Sequence, residues 1–378
     1  MARRHKMPNL KIAFDQQVFL LQEYGGISRY FCCLAEKLAS MPGIEPRIFA
    51  PLHFNRSLGA MPRLPGRGIL LPKVPTKLFR IVSAASREAA RIQIRGYCPD
   101  IIHETYFSFD DFLAPGKKRV VTVYDMIFER FAATIENGGR TAAPKRAAVM
   151  RADHVICISE NTRRDLIEIT RVPEEKTSVV HLAADDVFFQ NGPSGQSPEG
   201  AGEPYLLFVG GRQDYKNFGV FLRAFASSGY LRENFAIVCF GGGPLSGGEL
   251  SLAASLGLRP GQVEHRSGDD SALAGVYRNA AALVYPSLYE GFGIPPLEAM
   301  ACSCPVICSN TSSLPEVVGN AAEFFDPLKQ EEIAGAMERV LQSSSRRGEL
   351  IGAGMLQCRK YSWERCAAET TGIYRSLL

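Results

Sequence analysis

The chain has 378 residues, a net charge of +4, and 46% hydrophobic and 22% charged residues. That length exceeds what one ordinary hydrophobic core occupies, so we expect two domains in a globular protein. No apolar run approaches the ~20 residues of a membrane span, and the basic N-terminus is not followed by the apolar stretch of a signal peptide. None of the ten cysteines forms a C-x-x-C pair, which argues against a zinc site and fits a reducing, cytoplasmic compartment.

The first half alternates short apolar strands with amphipathic helices, a pattern that predicts a parallel sheet covered by helices. A strand at 11–15 is expected to end in a loop that carries Gly25 and Gly26, and a helix at 29–40 follows. Ser159 is a suitable N-cap for the helix after it. Further strands are expected at 47–50, 101–103, 119–124, 154–158 and 177–181.

Residues 56–97 carry a local excess of positive charge. Nine lysines and arginines lie there against one acidic residue, Glu88, which gives a local charge of +8. Within this stretch, 76–87 mix cationic and apolar residues as an amphipathic surface helix does. Such a face could bind anionic lipid heads or a pyrophosphate-linked acceptor, or it could be an ordinary solvated helix face. No recognised nucleic-acid-binding module accompanies the charge, so nucleic acid is not expected as a partner.

The clearest linker signal is 191–204, which consists mainly of glycine, proline, serine and other small or polar residues. We therefore expect an N-terminal domain at 1–190 and a second domain at 205–360. After the linker the alternation restarts, with strands expected at 205–209, 236–240, 263–265, 282–285 and 306–309. Ligands of such sheets bind at the carboxyl ends of the strands, here in a cleft between the two domains.

Residues 286–301 combine two carboxylates with glycines and prolines, a pattern that predicts a loop entering a helix. Gly291 and Gly293 leave backbone N–H groups open to a ligand, and the two prolines that follow suit the first turn of a helix. Glu290 then lies on the loop, and Glu298 is expected in that first turn. A helix N-terminus binds anionic groups, and carboxylates accept hydrogen bonds from sugar or ribose hydroxyls.

This stretch resembles the E-x7-E signature of retaining, nucleotide-sugar-dependent glycosyltransferases of family 4, which have the GT-B fold. The similarity extends through 302–307 and 314–319 and is densest between 205 and 341, although Ser303 stands where the family usually has glycine. The opening at 14–31 resembles mannosyltransferases of bacterial surface-polysaccharide assembly. The resemblance implies an α/β fold of two Rossmann-like domains that face each other across a cleft, with 361–378 packing back on the first domain.

Arg212 and Lys216, after the first strand of the second domain, match a pair of cations in this family. The resemblance implies that they stabilise the charge that develops on the departing diphosphate, a role that a metal fills in other glycosyltransferases. They could also be ordinary solvated loop charges. The chain has no D-x-D triplet, which agrees with a metal-independent reaction and no cofactor.

The signature loop supplies the other donor-binding residues that the resemblance implies. Glu290 would bond the hydroxyls of the sugar and act in catalysis with Asp125, Arg212 and Lys216. Glu298 would hold the ribose. The residues expected beside the sugar phosphate are Gly291, Phe292 and Gly293.

On the acceptor side, a His-Asp pair of many relatives corresponds here to Tyr124 and Asp125, so no catalytic histidine is assigned to position 124. Asp125 could take the acceptor proton, or it could be an ordinary turn residue. His103, at the end of a predicted strand, is a second acceptor-side candidate, although a structural histidine is the commoner role. Gly25 and Gly26 resemble the family's first glycine loop, whose backbone approaches the diphosphate or the acceptor.

The expected function is transfer of a hexose, in first place mannose from GDP-mannose, to a glycan or lipid-linked acceptor of surface polysaccharide or lipopolysaccharide. Alternatives are a UDP-sugar donor, a synthase or phosphorylase on the same fold, and a catalytically silent sugar-nucleotide-binding protein. A two-carboxylate hydrolase is disfavoured because Glu290 and Glu298 would have to flank one glycosidic bond. The glycines at 241–243 do not complete a dinucleotide-binding motif, and no P-loop occurs. Weak contact with the inner face of an anionic plasma membrane is expected through 56–97.

Overall fold

The computed structural model describes residues 9–60, 68–109, 117–132, 138–190 and 203–378. It divides into two compact units, one formed by Met1–Leu182 with Trp363–Leu378 and the other by Ala183–Ser362. The basic N-terminus, Arg63 and Arg67 of the basic stretch, and 191–202 of the predicted linker lie outside the described residues.

The strands of the first unit pair in parallel. They are β1 (Leu10–Phe14), β2 (Ile44–Ile48), β3 (Leu52–His53), β4 (Ile69–Leu70), β5 (Ile101–Glu104), β6 (Lys118–Val123), β7 (His154–Cys157) and β8 (Thr177–Val179). Six of them form one sheet in the order β2-β1-β5-β6-β7-β8, and β3 pairs with β4. Every residue of β5 and β7 is buried, which is the pattern of a parallel strand covered on both faces.

The second unit contains another parallel sheet. Its strands are β9 (Tyr205–Val209), β10 (Ala236–Phe240), β11 (Val263–Arg266), β12 (Ala282–Tyr285), β13 (Val306–Ser309) and β14 (Ala322–Phe325). They lie in the order β11-β10-β9-β12-β13-β14, so the order reverses between β9 and β12. This is the doubly wound arrangement of a dinucleotide-binding fold. The prediction of two Rossmann-like domains is confirmed.

Helices cover both sheets. In chain order they are α1 (Gln17–Leu21), α2 (Gly26–Ala39), α3 (Arg56–Ala60), α4 (Thr76–Tyr97), α5 (Ile127–Arg130), α6 (Gly138–Arg151), α7 (Glu160–Thr170), α8 (Asp186–Phe189), α9 (Phe218–Ser227), α10 (Gly229–Asn234), α11 (Gly247–Ser255), α12 (Asp270–Asn279), α13 (Ile294–Ala301), α14 (Leu314–Val318), α15 (Gln330–Leu341), α16 (Ser344–Cys358) and α17 (Trp363–Ser376). The Ser159 side chain caps α7 by accepting a hydrogen bond from the N–H of Thr162, as predicted.

The predicted glycine loop before α2 is partly wrong, because the helix already begins at Gly26. The Gln22 side chain supplies the reason. Its Oε1 accepts the N–H of Ser28 at 3.1 Å and so satisfies a donor of the first helical turn. A Cβ at position 25 would lie 2.2 Å from that oxygen, so a larger residue there would displace the Gln22 amide from its capping position. The absence of a side chain at Gly25 therefore leaves space for the Gln22 amide, which caps the first turn of α2.

The C-terminal helix α17 belongs to the first unit, as the resemblance implied. Its Tyr374 hydroxyl lies 2.6 Å from Nδ1 of His103 on β5. Nε2 of the same ring lies 2.8 Å from the hydroxyl of Thr122 on β6. All three side chains are buried. The last helix is thus joined to the middle of the first sheet through a fully enclosed histidine.

The short helix α8 precedes the predicted linker but packs within the second unit. Phe188 is fully buried and meets the Tyr277 ring edge-on at 6.0 Å between ring centroids. The Arg278 guanidinium donates to the carbonyl oxygens of Val187 and Gln190 at 3.3 and 3.0 Å. These contacts explain why the second unit begins at Ala183 rather than after residue 204.

Helix α4 carries most of the described basic stretch and is unusually exposed. Of its 22 residues only Ser86, Ala90, Ile94 and Tyr97 are buried, so its first ten residues, 76–85, have no buried side chain. Among the residues that the structure describes, no helix combines the length and apolar character that crossing a bilayer requires. The apolar side chains that α4 exposes are Leu78, Ile81 and Ile92.

The buried histidine predicts a specific dependence of stability on pH. Burial lowers the pKa of His103 from 6.5 to about 3, so the folded protein keeps this ring neutral while the unfolded chain takes up a proton below pH 6.5. Its contribution is therefore complete above pH 6.5 and is lost as the pH falls. The free energy of unfolding of the wild type, minus that of His103→Gln, should fall by ~2 kcal/mol between pH 7 and pH 5 in urea titrations. A difference that stays constant with pH would contradict this.

Candidate functional site

The second sheet reverses its strand order between β9 and β12, where ligands of doubly wound folds bind outside the carboxyl ends of the strands. After β9 the chain passes through a 3₁₀ turn, Asp214–Lys216, into α9. After β12 it passes through the loop 286–293 into α13. The structure therefore brings the predicted cations and the signature loop to one edge of this sheet.

Lys216 and Glu290 form an ion pair at this edge. Nζ of Lys216 lies 2.6 Å from Oε1 of Glu290 and 3.2 Å from the hydroxyl of Tyr285, and the paired side chains are 14% and 10% exposed. The N–H of Leu288 donates to the carbonyl oxygen of Tyr215 at 2.8 Å and ties the same two segments together. Burial, with the Glu290 carboxylate next in importance, raises the pKa of Tyr285 well above its ordinary value, so its hydroxyl keeps its proton.

Arg212 lies against a different loop. Its Nε donates to Oε1 of Glu249 at 2.6 Å, and its terminal nitrogens donate to the carbonyl oxygens of Gly241, Gly243 and Pro244 at 3.2, 2.8 and 2.8 Å. The Arg212 side chain is only 6% exposed. The structure thus places Arg212 as a clamp on the glycine-rich loop after β10, whereas Lys216 lies against the signature loop.

Glu249 is a site residue that the sequence interpretation missed. It is the N3 residue of α11 and forms a capping box with Ser246, whose N–H donates to Oε2 of Glu249 at 2.6 Å. Burial raises its pKa, but hydrogen bonds from Ser246 and Arg212 outweigh that effect and the pKa lies below the ordinary value. The Ser-x-x-Glu spacing of 246–249 is the sequence pattern of a capping box and could have predicted this cap. It does not indicate that Arg212 pairs with Glu249.

The signature loop enters α13 with the prolines in the first helical turn, as the sequence predicted. Gly293 is the N-cap residue at φ 114°, a conformation that favours glycine, and prolines occupy the first turn. The prediction that Glu298 lies in that first turn is wrong. The helix begins at Ile294, so Glu298 is its fifth residue, and its Oε2 accepts a hydrogen bond from the buried Tyr277 hydroxyl at 3.0 Å.

Two serines that no motif singled out hold the signature loop. The N–H of Glu290 donates to Oγ of Ser312 at 2.9 Å. Oγ of Ser313 donates to the carbonyl oxygens of Glu290 and Phe292 at 2.9 and 2.8 Å. Phe292 is 3% exposed and meets the Tyr361 ring edge-on at 5.7 Å, so its ring packs inside the unit. Gly291 lies between the two serine-bound carbonyl groups.

In the first unit, polar side chains gather where β1, β5 and β6 end. Asp15, directly after β1, is fully buried, and its carboxylate accepts hydrogen bonds from the side chains of Thr105 at 2.5 Å and Gln17 at 2.7 Å. Burial raises the pKa of Asp15 against the lowering effect of these bonds. Glu104, the last residue of β5, is paired with Arg151, and burial still raises the pKa of Glu104 to about 7.

Asp125 follows β6 at the same edge, as predicted. Its Oδ1 accepts the N–H of Ile127 at 3.0 Å, which is the bond of a turn aspartate, and its carboxylate is about one third exposed. Lys145, a buried lysine of α6 that sequence reasoning missed, donates to the carbonyl oxygen of Asp125 and to Oε2 of Glu129, both at 2.9 Å. Asp125 is therefore fixed in place and still reachable.

His103 and Tyr124 occupy interior positions. Both ring nitrogens of His103 are hydrogen-bonded to residues of the same unit, which favours the structural role that the sequence left open. Tyr124 is 7% exposed, and its hydroxyl has no hydrogen-bond partner among the described residues. Gly25 and Gly26 lie at the start of α2, where a Cβ at position 26 would meet nothing within 4 Å. Gly26 thus leaves open space beside its backbone.

Within the described ranges, no group of three or more histidine, cysteine or carboxylate side chains has the arrangement of a metal site. The described cysteines are free thiols, and all of them except Cys98 are buried. Burial raises the pKa of Cys302 to about 12, so this thiol stays protonated and acts as a small apolar side chain.

Comparisons with known proteins agree with this geometry. Residues 24–187 match the model of Glycosyltransferase Family 4, and residues 194–355 match the model of Glycosyl transferases group 1. The chain belongs to glycosyltransferase family 4, a family of transferase enzymes, and its two doubly wound units have the GT-B fold.

O-antigen chain mannosyltransferase B of Escherichia coli is 30% identical over 230 residues, which span 59% of this chain and 60% of that protein. The match therefore covers less than two thirds of that relative. D-inositol 3-phosphate glycosyltransferase of Acidothermus cellulolyticus is 26% identical over 390 residues, or 94% of this chain and 86% of the relative. Among solved structures, a sucrose-phosphate synthase from Thermosynechococcus elongatus shares the fold with a TM-score of 0.76 at 21% identity, covering 98% and 99% of the two chains.

The Tyr124 hydroxyl has no hydrogen-bond partner among the described residues, so its removal should stabilise the protein. A buried polar group without a partner costs about 1–3 kcal/mol, so Tyr124→Phe should raise the free energy of unfolding of the ligand-free protein by ~1 kcal/mol in urea titrations. Tyr374→Phe is the matched control, because it removes a hydroxyl that bonds His103 and should lower that free energy by a similar amount. Loss of stability in both variants would show that the Tyr124 hydroxyl has a partner.

Proposed function

We propose that this chain transfers a hexose from a nucleotide-sugar to a glycan or lipid-linked acceptor in surface-polysaccharide or lipopolysaccharide synthesis, with retention of the anomeric configuration. The proposal rests mainly on the buried Lys216–Glu290 pair at the switch point of the second sheet. An ammonium and a carboxylate enclosed at a ligand-binding edge are suited to a molecule that carries both phosphate and sugar hydroxyls.

The chemistry follows from the charge that develops during transfer. When the bond between the sugar and the diphosphate breaks, negative charge grows on the departing oxygen, and a fixed cation stabilises it. Lys216 can bind that phosphate while Glu290, released from the ion pair, accepts hydrogen bonds from the sugar. Arg212 would join Lys216 only by exchanging a carbonyl or carboxylate partner for phosphate. Because these groups supply the positive charge, we propose that no metal or cofactor takes part.

Mannose from GDP-mannose is the favoured donor, since several relatives are named as mannosyltransferases. Glu298 and Phe292 are proposed to shape the ribose and sugar-phosphate region, with Gly291 and Gly293 offering backbone N–H groups. On the acceptor side, Asp125 is the proposed proton acceptor, because its carboxylate is partly exposed and its position is fixed by Lys145. A UDP-sugar is the second choice of donor.

A catalytically silent sugar-nucleotide-binding protein is the competing candidate. Two observations favour it: Tyr124 stands where many relatives are expected to have histidine, and Arg212 is fully engaged with Glu249 and backbone carbonyl groups. Such a protein would bind the nucleotide-sugar without releasing nucleotide.

We also propose weak contact between α4 and the inner face of an anionic plasma membrane. Exposed apolar and cationic side chains alternate on this helix, with Leu78 and Ile81 45% and 66% exposed, and such faces bind anionic bilayers. Co-sedimentation with phosphatidylglycerol vesicles at low salt measures this contact, and a protein that stays in the supernatant contradicts it.

A donor screen followed by turnover measurements tests the proposed activity. Among GDP, UDP, ADP and their sugars, GDP and GDP-mannose should raise the melting temperature by a few degrees, or ~1–2 kcal/mol of ligand stabilisation. Lys216→Ala should lower kcat/KM for donor consumption by about 10²–10³, the cost of losing one donor to a developing oxyanion. Addition of EDTA should leave the rate unchanged.

Lys329→Ala is the matched control, because this lysine lies in the same unit, is 53% exposed and pairs only with neighbouring carboxylates. Its turnover should equal that of the wild type. Undiminished turnover of the double variant Arg212→Ala, Lys216→Ala, or loss of turnover in EDTA, would overturn the proposed chemistry. A nucleotide-dependent rise in melting temperature without any nucleotide release would favour the silent binding protein.

A further inference from the structure

Tyr285, the last residue of β12, is a buried tyrosine whose hydroxyl contacts both members of the Lys216–Glu290 pair. Nζ of Lys216 donates to the hydroxyl oxygen at 3.2 Å. The same nitrogen lies 5.3 Å from the centre of the Tyr285 ring, so its main contact with this side chain is the hydroxyl. The tyrosine is only 2% exposed, which leaves the hydroxyl to bond within the site and not to bulk water.

The Tyr285 hydroxyl both accepts and donates a hydrogen bond. An ammonium group has donors only, so the tyrosine oxygen accepts from Lys216 and its own proton is available for another partner. Glu290 is that partner: burial, the charge of the Glu290 carboxylate and a hydrogen bond to it raise the pKa of Tyr285 well above its ordinary value. The three side chains therefore form a closed triangle, in which Lys216 and Tyr285 both bond Glu290.

The backbone of Glu290 is held by bonds that do not involve Lys216. Its N–H donates to Oγ of Ser312 at 2.9 Å, and its carbonyl oxygen accepts from Oγ of Ser313 at 2.9 Å. Tyr285 is held in β12, which pairs with its neighbours in the sheet. The ammonium of Lys216, in contrast, is carried on a flexible four-carbon stem. If this ammonium turns away, Glu290 and Tyr285 therefore keep their places.

The departure of Lys216 would remove the cation from a carboxylate that is only 10% exposed. Such a separation is costly unless other donors remain beside the carboxylate. The Tyr285 hydroxyl already donates to Glu290, and without the ammonium the two would be bonded to each other alone in this triangle. A hydrogen bond from a hydroxyl to an ionised carboxylate is stronger than one between neutral groups. The tyrosine thus lowers the cost of opening the ion pair.

We propose that Tyr285 is a positioning residue that keeps Glu290 bonded while Lys216 exchanges this carboxylate for the diphosphate of the ligand. The inference rests on the proposed function, because it concerns how the same site admits a nucleotide. It separates two kinds of ligand. A nucleoside diphosphate brings no sugar hydroxyls to Glu290, which then depends on Tyr285, whereas a nucleotide-sugar brings hydroxyls of its own and depends on Tyr285 less.

Isothermal titration of wild type and Tyr285→Phe with GDP and with GDP-mannose tests the proposal. UDP and UDP-glucose take their place if the uridine nucleotides are the ones that raise the melting temperature. The variant should bind the nucleoside diphosphate about tenfold more weakly, because it loses a hydrogen bond to a charged group. It should bind the nucleotide-sugar less than about threefold more weakly. A merely structural role of the tyrosine would weaken both ligands equally.

Tyr205→Phe is the matched control, because it removes a bonded hydroxyl from a buried tyrosine of the same sheet. Tyr205 is 8% exposed, begins β9 at the end of the strand opposite the site, and donates to the carbonyl oxygen of Val276 at 2.8 Å. Its variant should change either affinity less than about twofold. Near-UV circular dichroism without ligand verifies the fold of each variant.

A second comparison uses Glu290→Gln as the starting protein. With the carboxylate gone, no charge is left for the tyrosine to stabilise when Lys216 turns to the diphosphate. Adding Tyr285→Phe to this variant should therefore change the affinity for the nucleoside diphosphate less than about twofold, which makes the two substitutions non-additive.

Three outcomes would overturn the role of Tyr285: equal losses for both ligands in Tyr285→Phe, no loss for either, or the same loss of diphosphate binding in the Glu290→Gln protein. The proposed function fails in other ways. If none of the screened nucleotides binds to the wild type, the site does not take a nucleotide and the inference falls with the function. If the affinities change as described but no nucleotide is released from its sugar, the proposed transfer fails and the role of Tyr285 stands.

Discussion

The enclosed ion pair of Lys216 and Glu290 is the interaction on which the proposed site depends. Breaking such a pair on one side leaves a buried charge without a partner, which costs several kcal/mol, so both residues hold their loops in register. The Tyr285 hydroxyl and the backbone bond between Leu288 and Tyr215 act on the same two segments. A ligand that separates this pair would have to offer a negative group to Lys216 and hydrogen-bond donors to Glu290, because otherwise one charge would be left unpaired.

Arg212, the second cation of the proposed site, is held differently from Lys216. The free-energy cost of moving each side chain away from its partners therefore differs. Arg212 bonds one carboxylate and three carbonyl oxygens, and a Cβ at Gly242 would lie 3.1 Å from its guanidinium and 2.6 Å from the carbonyl oxygen of Gly210. The loop after β10 therefore approaches Arg212 too closely for a side chain at position 242. In the proposed reaction Lys216 would exchange one salt bridge for the ligand, whereas Arg212 would have to give up some of its four hydrogen bonds.

Some buried polar groups near the edge of the first sheet have hydrogen-bond partners, and others have none among the described residues. Asp15 and His103 have their partners within the unit, and they stabilise the edge and the last helix. The oxygens of Tyr124, Gln16 and Ser83 have none among the described residues. A buried polar group without a partner costs free energy, so these oxygens are a local source of instability in the first unit.

The sequence by itself determined the two doubly wound domains, because the apolar runs of strands such as β9 and β12 and the glycine and proline signals between them are local. It also determined the family, since the loop around Glu290 and the cation at Lys216 are fixed by short spacings. The sequence placed Glu298 in the first turn of α13, which is wrong, and it did not indicate that Glu249 is the partner of Arg212. Only the tertiary structure decided these points, because they depend on side chains that are distant along the chain and meet only after the sheets have formed.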